Sequence, residues 1–178
     1  MNRNERILTL ERVPGPSGAP FKAVLVVTDD ETVCAVDFEG YEARMQRLLA
    51  RRFGTVRLVE REARSEAARR IRDYLDGDVG AVDALGVRTE GTEFQAAAWQ
   101  ALRSIRPGST ATYSDQAGRI GRPRAVRAVG AANGQNPIAI VLPCHRVVGR
   151  SGDLTGYAGG LATKQWLLEH ERRHVAAG

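Results

Sequence analysis

The pattern of apolar residues changes near residue 87, and this change constrains the fold more than any other feature of the sequence. Before it, short apolar or β-branched runs are followed by two segments with helical periodicity. After it, capping residues, prolines and glycines divide the chain into short helical segments. The pattern predicts an α/β N-terminal domain with its linker over residues 1–87, and a mainly α C-terminal domain over residues 88–178.

The first half is predicted to contain a small antiparallel sheet with helices. Three runs have strand character: Ile7–Leu10, Phe21–Val27 and Thr32–Phe38. The tight polar turn Asp29–Glu31 separates the last two, so we expect a three-stranded meander. Helical periodicity follows over Tyr41–Phe53, and a second helix is expected over Ser65–Leu75. The glycine-rich stretch Asp76–Gly86 is interpreted as the linker.

The second half contains a predicted helix-turn-helix. A capping box that begins at Thr92 opens the first helix of this half. Ser114 is expected to cap a second, short helix that ends at Gly121. Pro123 then suits the first position of a third helix, which ends near Asn133. Two short helices joined by a glycine-containing turn are typical of a helix-turn-helix. The second of them has mostly alanine and glycine side chains, so its backbone can approach another surface closely.

Positive charge is concentrated in the second half. Residues 1–87 hold 14 Lys and Arg against 15 Asp and Glu, whereas residues 88–178 hold 12 against 6. The asymmetry predicts that a polyanion would bind the second half. Only two of the 26 basic residues are lysine. That bias suits planar phosphate recognition by arginine, or it reflects a GC-rich genome.

Several classes of protein are excluded by composition. No stretch reaches the roughly 18 apolar residues of a membrane-spanning helix, and the first residues have no apolar signal core. We therefore expect a cytoplasmic protein with no membrane partner. The two cysteines and three histidines form neither a disulfide framework nor a zinc pattern, so no metal is expected. Cys34 lies in a strand pattern without a nearby histidine and is interpreted as structural.

Cys144 is the candidate nucleophile. The apolar run Ile138–Leu142 should be buried, and it leads directly into a Pro-Cys-His-Arg sequence. By burial alone, Cys144 fits an inert core residue. The adjacent imidazole and cation instead suit a reactive thiol, because they lower its pKa. Adjacent side chains of an extended segment point to opposite faces, so His145 acts on Cys144 only if the chain bends or a water relays the proton. Glu171 is the carboxylate expected to orient the imidazole.

Three runs of the second half carry a recognisable pattern: RAVGAAN (Arg127–Asn133), NPIAIVLPCHRVVG (Asn136–Gly149) and GYAGGLATKQWLLEHE (Gly156–Glu171). Together they resemble the O6-alkylguanine-DNA alkyltransferases, the methylated-DNA–protein-cysteine methyltransferase family. The first half is similar to short bacterial members, mainly through AVDFEGYEARMQRLLARRF (Ala35–Phe53). The resemblance implies direct reversal of O6-alkylguanine damage, with O4-alkylthymine as a further candidate substrate. The flipped nucleotide would lose its alkyl group irreversibly to the protein, one lesion per molecule.

The resemblance implies a role for each residue that matches the family pattern. Cys144 would attack the carbon attached to the guanine oxygen and become a thioether. His145 would take the thiol proton through a water, and Glu171 would orient that histidine. Asn136 would connect the end of the helix-turn-helix to the strand that carries the cysteine. Tyr113 would hydrogen-bond the base and help to protonate guanine as it leaves.

The same resemblance implies a substrate pocket and a DNA-binding face. Tyr113 and Tyr157, with the backbone of Val147 and Ala158, would line the pocket. Arg127 would fill the space left by the flipped nucleotide, and the small side chains of its helix would permit entry into the minor groove. The remaining expected DNA contacts are Ser114, Arg122, Arg124, Ala128 and Arg150.

The implied chemistry needs no cofactor, because the protein itself accepts the alkyl group. The zinc ligands of some animal members and the four-cysteine module of the bacterial adaptive-response regulator are missing from the sequence. Neither a structural metal nor a methyl-triggered transcriptional switch is therefore expected. The expected partner is double-stranded DNA that contains O6-alkylguanine. A monomer is expected to bind it, with cooperative binding as an alternative.

Two other functional classes fit part of the pattern. A cysteine hydrolase would use the same Cys-His-Glu set, but it would turn over repeatedly and has no need for a basic helix-turn-helix. A DNA-binding regulator would explain the charge and the helices, but not a thiol beside His145 at the end of a buried strand.

Overall fold

The computed structural model describes residues 5–176. In chain order, the elements of the first half are β1 (Arg6–Pro14), β2 (Ala23–Asp29), β3 (Thr32–Phe38), α1 (Glu42–Phe53), β4 (Val56–Arg61) and α2 (Glu66–Leu75). Those of the second half are α3 (Glu93–Leu102), β5 (Ala111–Thr112), α4 (Tyr113–Arg119), α5 (Val126–Gly134), a 3-10 turn at Cys144–Arg146, β6 (Val147–Val148) and α6 (Leu161–Ala176). The predicted fold class, an α/β part followed by a mainly helical part, is confirmed.

The sheet of the first half has one strand more than the sequence indicates. The predicted meander is present, since β1, β2 and β3 pair antiparallel in sequence order. β4 then pairs with β1 in parallel, which makes the sheet mixed, with strand order β3-β2-β1-β4. The expectation of a purely antiparallel sheet is wrong on this point. β4 lies at the edge, and its half-buried or exposed residues include three charged side chains, so it has little apolar signal.

The two faces of the sheet pack against different parts of the chain. Successive strand residues point to opposite faces. One face packs on α1, and the buried cluster there includes Leu25 and Met45. The other face packs on α2 and on the second half, and that cluster includes Val26, Leu102 and Leu142. This core is continuous across the predicted boundary, and the division into two domains there stays a prediction.

The predicted linker is packed along the edge of β3. Val82 and Leu85 are buried within the larger core cluster. The Val33 amide donates to the Gly86 carbonyl over 3.0 Å, and the Arg88 amide donates to the Val33 carbonyl over 2.9 Å. Backbone hydrogen bonds thus fix the start of the second half to the sheet.

The two short helices α4 and α5 begin at other residues than the sequence analysis expects. Thr112, rather than Ser114, caps α4: its hydroxyl accepts from the Asp115 amide, and the Asp115 carboxylate accepts from the Thr112 amide. Pro123 lies in a turn that precedes α5, closed by the Ala125 amide on the Arg122 carbonyl. Proline suits the second position of this turn because its ring fixes φ. The helix therefore begins after the turn and not at Pro123.

The apolar run before Cys144 is buried as predicted, but it forms turns instead of a strand. Ile138 makes an isolated bridge to Val36, and the Leu142 amide then donates back to the Ile138 carbonyl. Ile140 has a φ of 69°, a conformation that β-branched residues rarely adopt. These turns bend the chain and lead it into the 3-10 turn that carries Cys144.

Candidate active site and DNA-binding face

Cys144 lies at the wall of a cavity of about 190 Å³. Its side chain is almost fully enclosed, with a relative exposure of 9%. The lining residues come from α4, α5, the 3-10 turn and the loop before α6: Tyr113, Gly130, Asn133, Gly134, Cys144, Gly156, Tyr157 and Ala158. The thiol is therefore buried in protein yet borders a space that a small substrate group could enter.

Asn136 connects the end of α5 to the nucleophile segment. Its side-chain amide donates to Cys144 Sγ over 3.1 Å and to the Leu142 carbonyl over 2.7 Å. Its side-chain oxygen accepts from the Ile138 amide over 3.0 Å. One buried amide thus closes the turns between α5 and the cysteine and fixes the position of the sulfur.

His145 and Glu171 are in direct contact. His145 Nε2 lies 2.7 Å from Glu171 Oε1, and both side chains are fully buried. Arg146 forms an ion pair with the same carboxylate, with Nη2 2.9 Å from Oε1 and Nε 3.0 Å from Oε2. Tyr74 Oη and the Gly108 amide also donate to it. The carboxylate therefore joins α2, the 3-10 turn and α6 at one buried point.

The hydrogen bonds determine which nitrogen of His145 is available as a base. A carboxylate only accepts hydrogen bonds, so Nε2 carries the proton that points to Glu171. Nδ1 is then the acceptor nitrogen of the neutral ring, and it has no hydrogen-bond partner among the described residues. Burial lowers the pKa of His145 although Glu171 opposes the shift, so the ring is neutral at physiological pH.

Burial alone would raise the pKa of Glu171, but the His145 and Arg146 contacts hold it well below its usual range. The carboxylate is therefore ionised.

The thiol of Cys144 behaves differently. Burial raises its pKa, and the Asn136 hydrogen bond and the Lys164 charge oppose this shift only in part. Cys144 is thus a protonated thiol at rest and needs a base in order to react.

The predicted pocket residues occupy different positions around the cavity. Tyr113, Tyr157 and Ala158 line it. Tyr113 Oη donates to the Thr155 carbonyl over 3.1 Å, whereas Tyr157 Oη is buried and has no partner among the described residues. Val147 is buried in the core and is not one of the lining residues; its carbonyl accepts from Lys164.

Lys164 is a site residue to which the sequence analysis assigned no role. Its ammonium group donates to the carbonyls of Val147 and Thr155 over 2.6 and 3.0 Å, and so holds the loop before α6 against β6. Burial lowers the pKa of Lys164. One signal in the sequence could have indicated this role: Lys164 falls on the apolar face of a predicted helix, in a chain that has only two lysines.

Asn133 and Gln116 form a second missed feature. Their side-chain amides donate to each other over 2.7 and 3.0 Å, and Gln116 also donates to the Ala98 carbonyl. This buried pair connects α4 to α5 and holds Asn133, a lining residue of the cavity. Nothing in the linear spacing of the two residues indicates the pairing.

The residues expected to contact DNA are exposed, on α4, on α5 and in nearby loops: Ser114, Arg122, Arg124, Arg127, Ala128 and Arg150. Arg127 lies in the first turn of α5, whereas Gly130, Asn133 and Gly134 of the same helix line the cavity. One helix thus borders the cavity that contains the thiol and also presents an exposed cation to solvent.

A larger groove, of about 690 Å³, lies on the sheet of the first half and contains none of the predicted site residues. Its buried carboxylate, Glu11, already accepts from the Arg64 and Ser65 amides at the start of α2. Within residues 5–176, no group of three or more His, Cys, Asp or Glu side chains could hold a metal ion. No helix in the described part of the chain is long and apolar enough to cross a membrane.

Comparison with known proteins gives consistent similarities over both halves. Residues 93–173 match the family model described as 6-O-methylguanine DNA methyltransferase, DNA binding domain. A methylated-DNA–protein-cysteine methyltransferase of Salmonella typhimurium is 46% identical over 156 residues, which cover 85% of this chain and 91% of that protein. One of the same name from Methanosarcina barkeri is 51% identical over 110 residues, or 62% and 69% of the two chains.

Solved structures show the same similarity at the level of the fold. The O6-methylguanine methyltransferase of Mycobacterium tuberculosis superposes with a TM-score of 0.74 at 31% identity, and 94% of each chain is covered. The structure of Mycobacterium tuberculosis OGT in complex with DNA gives a TM-score of 0.71 at 31% identity, and covers 93% of this chain and 94% of that one.

Proposed function

Because the chain belongs to the methylated-DNA–protein-cysteine methyltransferase family, we propose that Cys144 is the residue to which it transfers alkyl groups from O6-alkylguanine in duplex DNA. The protein is a DNA-binding methyltransferase that acts by direct reversal of damage. The observation that carries the assignment of the residue is the position of Cys144: it lines the cavity, its Sγ accepts from Asn136, and the next residue in the chain is His145 of the buried His145–Glu171 pair.

The proposed reaction is a single displacement. His145 Nδ1 takes the thiol proton through a water while Glu171 stabilises the imidazolium that forms. The sulfur bonds to the alkyl carbon, the carbon–oxygen bond breaks, and its electron pair returns to guanine. Tyr113 gives guanine a proton and regains one from the imidazolium through solvent, so the net result moves the thiol proton to the base. No step regenerates the thiol, because water has no easy leaving group to displace from a thioether.

The target nucleotide must leave the base stack to reach the cavity. We propose that α4 and α5 act as a helix-turn-helix, with α5 in the minor groove and Arg127 in the space left by the flipped nucleotide. The exposed cation and the small side chains of α5 support this arrangement, as does the position of its C-terminal turn at the cavity. Arg122, Arg124 and Arg150 would contact phosphates, and Ser114 and Ala128 would approach the backbone of the DNA.

Further details of the substrate and the assembly belong to the same proposal. The phenol of Tyr157 and the backbone of Ala158 would recognise the edge of the flipped guanine. One chain supplies every residue of the proposed site, which supports action as a monomer. A cytoplasmic location would give it access to its DNA substrate.

Intact-protein mass spectrometry tests the function directly. After incubation with a duplex that contains O6-methylguanine, we expect the protein mass to rise by one methyl group. Peptide analysis should locate this methyl group on Cys144 and none on Cys34. Cys144→Ala should abolish the gain in mass and leave binding of the lesion-containing duplex largely intact. Repaired DNA with an unchanged protein mass would indicate a hydrolase, and binding without repair would indicate a regulator.

A further inference from the structure

Arg44 is a residue of the first half that reaches the proposed active site. It lies on α1, and Nη1 forms an ion pair with Asp37 Oδ2 at 2.7 Å. Nη2 donates to the carbonyls of Gly134 and Asn136 over 3.0 and 3.1 Å. The Asp37 side chain is 2% exposed and that of Arg44 is 15% exposed, so the ion pair is largely removed from solvent, whereas the hydrogen bond to Gly134 lies at the surface.

The two carbonyls that Arg44 binds stand at the junction between α5 and the nucleophile segment. Gly134 is the last residue of α5, and carbonyls in the last turn of a helix have no partner within the helix. Asn136 is the residue whose amide donates to Cys144 Sγ. The planar guanidinium offers donors in a fixed fork, so one side chain can hold a carboxylate and two carbonyls together.

We propose that Arg44, oriented by Asp37, is a positioning residue for alkyl transfer: it holds the backbone at Gly134 and Asn136, and so keeps the Asn136 amide on the sulfur of Cys144. The proposal rests on the proposed function and gives the first half a role in it. The charge of Arg44 also opposes the rise in the pKa of Cys144 that burial causes.

The test must separate positioning from simple stabilisation of the fold. Arg44→Gln alone would leave the buried Asp37 carboxylate without its ion-pair partner, which is destabilising in itself. The double variant Asp37→Asn/Arg44→Gln removes both charges, and we expect it to unfold near the wild-type temperature. Arg47→Gln is the matched control, because Arg47 is exposed on the same helix and forms no ion pair or side-chain hydrogen bond within residues 5–176.

Single-turnover transfer from free O6-benzylguanine and from a methylated duplex is the first readout, with affinity and limiting rate measured separately for the duplex. We expect the double variant to lose about 10- to 100-fold in the limiting rate on both substrates, since a small displacement of a reacting group has effects of this size. Arg44→Lys should have an intermediate limiting rate, because an ammonium group lacks the forked donors of a guanidinium. Arg47→Gln should match the wild type.

A second readout does not depend on alkyl transfer. Iodoacetamide modifies accessible thiols, and peptide mass spectrometry distinguishes Cys144 from Cys34. We expect Cys144 in the double variant to react several-fold more slowly than in the wild type, and Cys34 to be unaffected. Wild-type protein that takes no alkyl group would contradict the proposed function, whereas this second readout still tests the role of Arg44.

Two outcomes would overturn the proposal. The first is a double variant that transfers alkyl groups and reacts with iodoacetamide at wild-type rates. The second is a loss of transfer rate that is explained by unfolding alone. In that case the rate would return fully to the wild-type value at a temperature where the variant is folded. If the double variant does not fold, Arg44→Lys at the wild-type rate overturns it as well.

Discussion

Cys144 is a weak nucleophile in the resting protein, because burial raises the pKa of its thiol. Its reactivity therefore depends on a base, and His145 is suited to that role by its hydrogen bonds. Glu171 holds the proton of the neutral ring on Nε2 and leaves Nδ1 as the acceptor. The burial that raises the pKa of the thiol also lowers the pKa of the imidazole and keeps the ring neutral.

The pH dependence of transfer should follow from these shifts at the residue scale. The pKa of His145 is lowered from 6.5 by burial, with Arg146 and Lys164 acting in the same direction and Glu171 opposing. Protonation would remove the base. The rate of transfer from free O6-benzylguanine should therefore stay constant from pH 8 down to 6.5 and decrease only at lower pH. Stopped-flow or quenched measurements of the single-turnover rate check this.

His145→Ala supplies the comparison for the pH profile. Without the base, the rate at neutral pH should fall by about 10²- to 10⁴-fold and should then rise with pH as hydroxide removes the thiol proton. A variant with an unchanged rate and profile would contradict the assignment of His145, provided that its melting temperature shows a folded protein.

At the scale of elements, the two sides of α5 place different requirements on its sequence. In the proposed arrangement its exposed side approaches DNA closely, which favours alanine and glycine. Its other side must pack on α3 and α4, and there Val129 is buried while the Asn133–Gln116 amide pair and the Trp99 hydrogen bond to the Ala132 carbonyl fix the helix. Small residues at one side and specific polar contacts at the other satisfy both.

Arg127 tests the role of α5 separately from the chemistry. Only a duplex substrate needs the vacated stack filled, so Arg127→Ala should slow transfer from methylated duplex DNA far more than transfer from free O6-benzylguanine. Parallel single-turnover assays on the two substrates give the ratio. Equal losses on both would count against insertion of this side chain, and Arg173→Ala, which removes an exposed arginine of α6, is the matched control for a general loss of positive charge.

At the scale of the whole molecule, Glu171 stabilises the contact between the two halves. Tyr74 of α2 donates to it from the first half, while His145 and Arg146 contact it from the second. An ionised carboxylate at the centre of the core is stable only with all these partners, because an unpaired buried charge is strongly unfavourable. The same residue therefore links the proposed site to the packing of the halves.

The stability of the protein should depend on pH through this residue. The folded-state pKa of Glu171 lies below its ordinary value of 4.5. Its contribution to the free energy of unfolding is therefore fully present above pH 4.5 and is lost as the pH falls. Urea denaturation, followed by tryptophan fluorescence, should show stability declining below this pH.

Glu171→Gln should lower the free energy of unfolding at pH 7 by about 3–5 kcal/mol, since Arg146 loses its buried partner. The decline at acid pH should be smaller than in the wild type. Parallel pH curves for the two proteins would contradict a depressed pKa, and Glu169→Gln, an exposed neighbour on α6, serves as the control.

The sequence by itself determined the order of the helices and the meander of the first half, and it supplied the candidate residues of the site. Those features depend on local periodicity, capping residues and a run of residue types around Cys144 that is specific to one family. Local signals also explain the misplaced helix starts. Ser114 suits an N-cap and Pro123 suits the first position of a helix in general, but at the start of α4 it is Thr112 that has a side-chain partner, Asp115, at the correct spacing.

Only the tertiary structure decided how the chemical groups meet. The edge strand β4, the bend that replaces a strand before Cys144, and the contacts of Lys164, Tyr74 and Arg44 all depend on pairing between distant segments. Such pairing leaves no periodic pattern in the chain, because it is selected by shape and by the need of buried polar groups for partners. Local sequence fixes which atoms can react, and long-range packing fixes their distances and their charge.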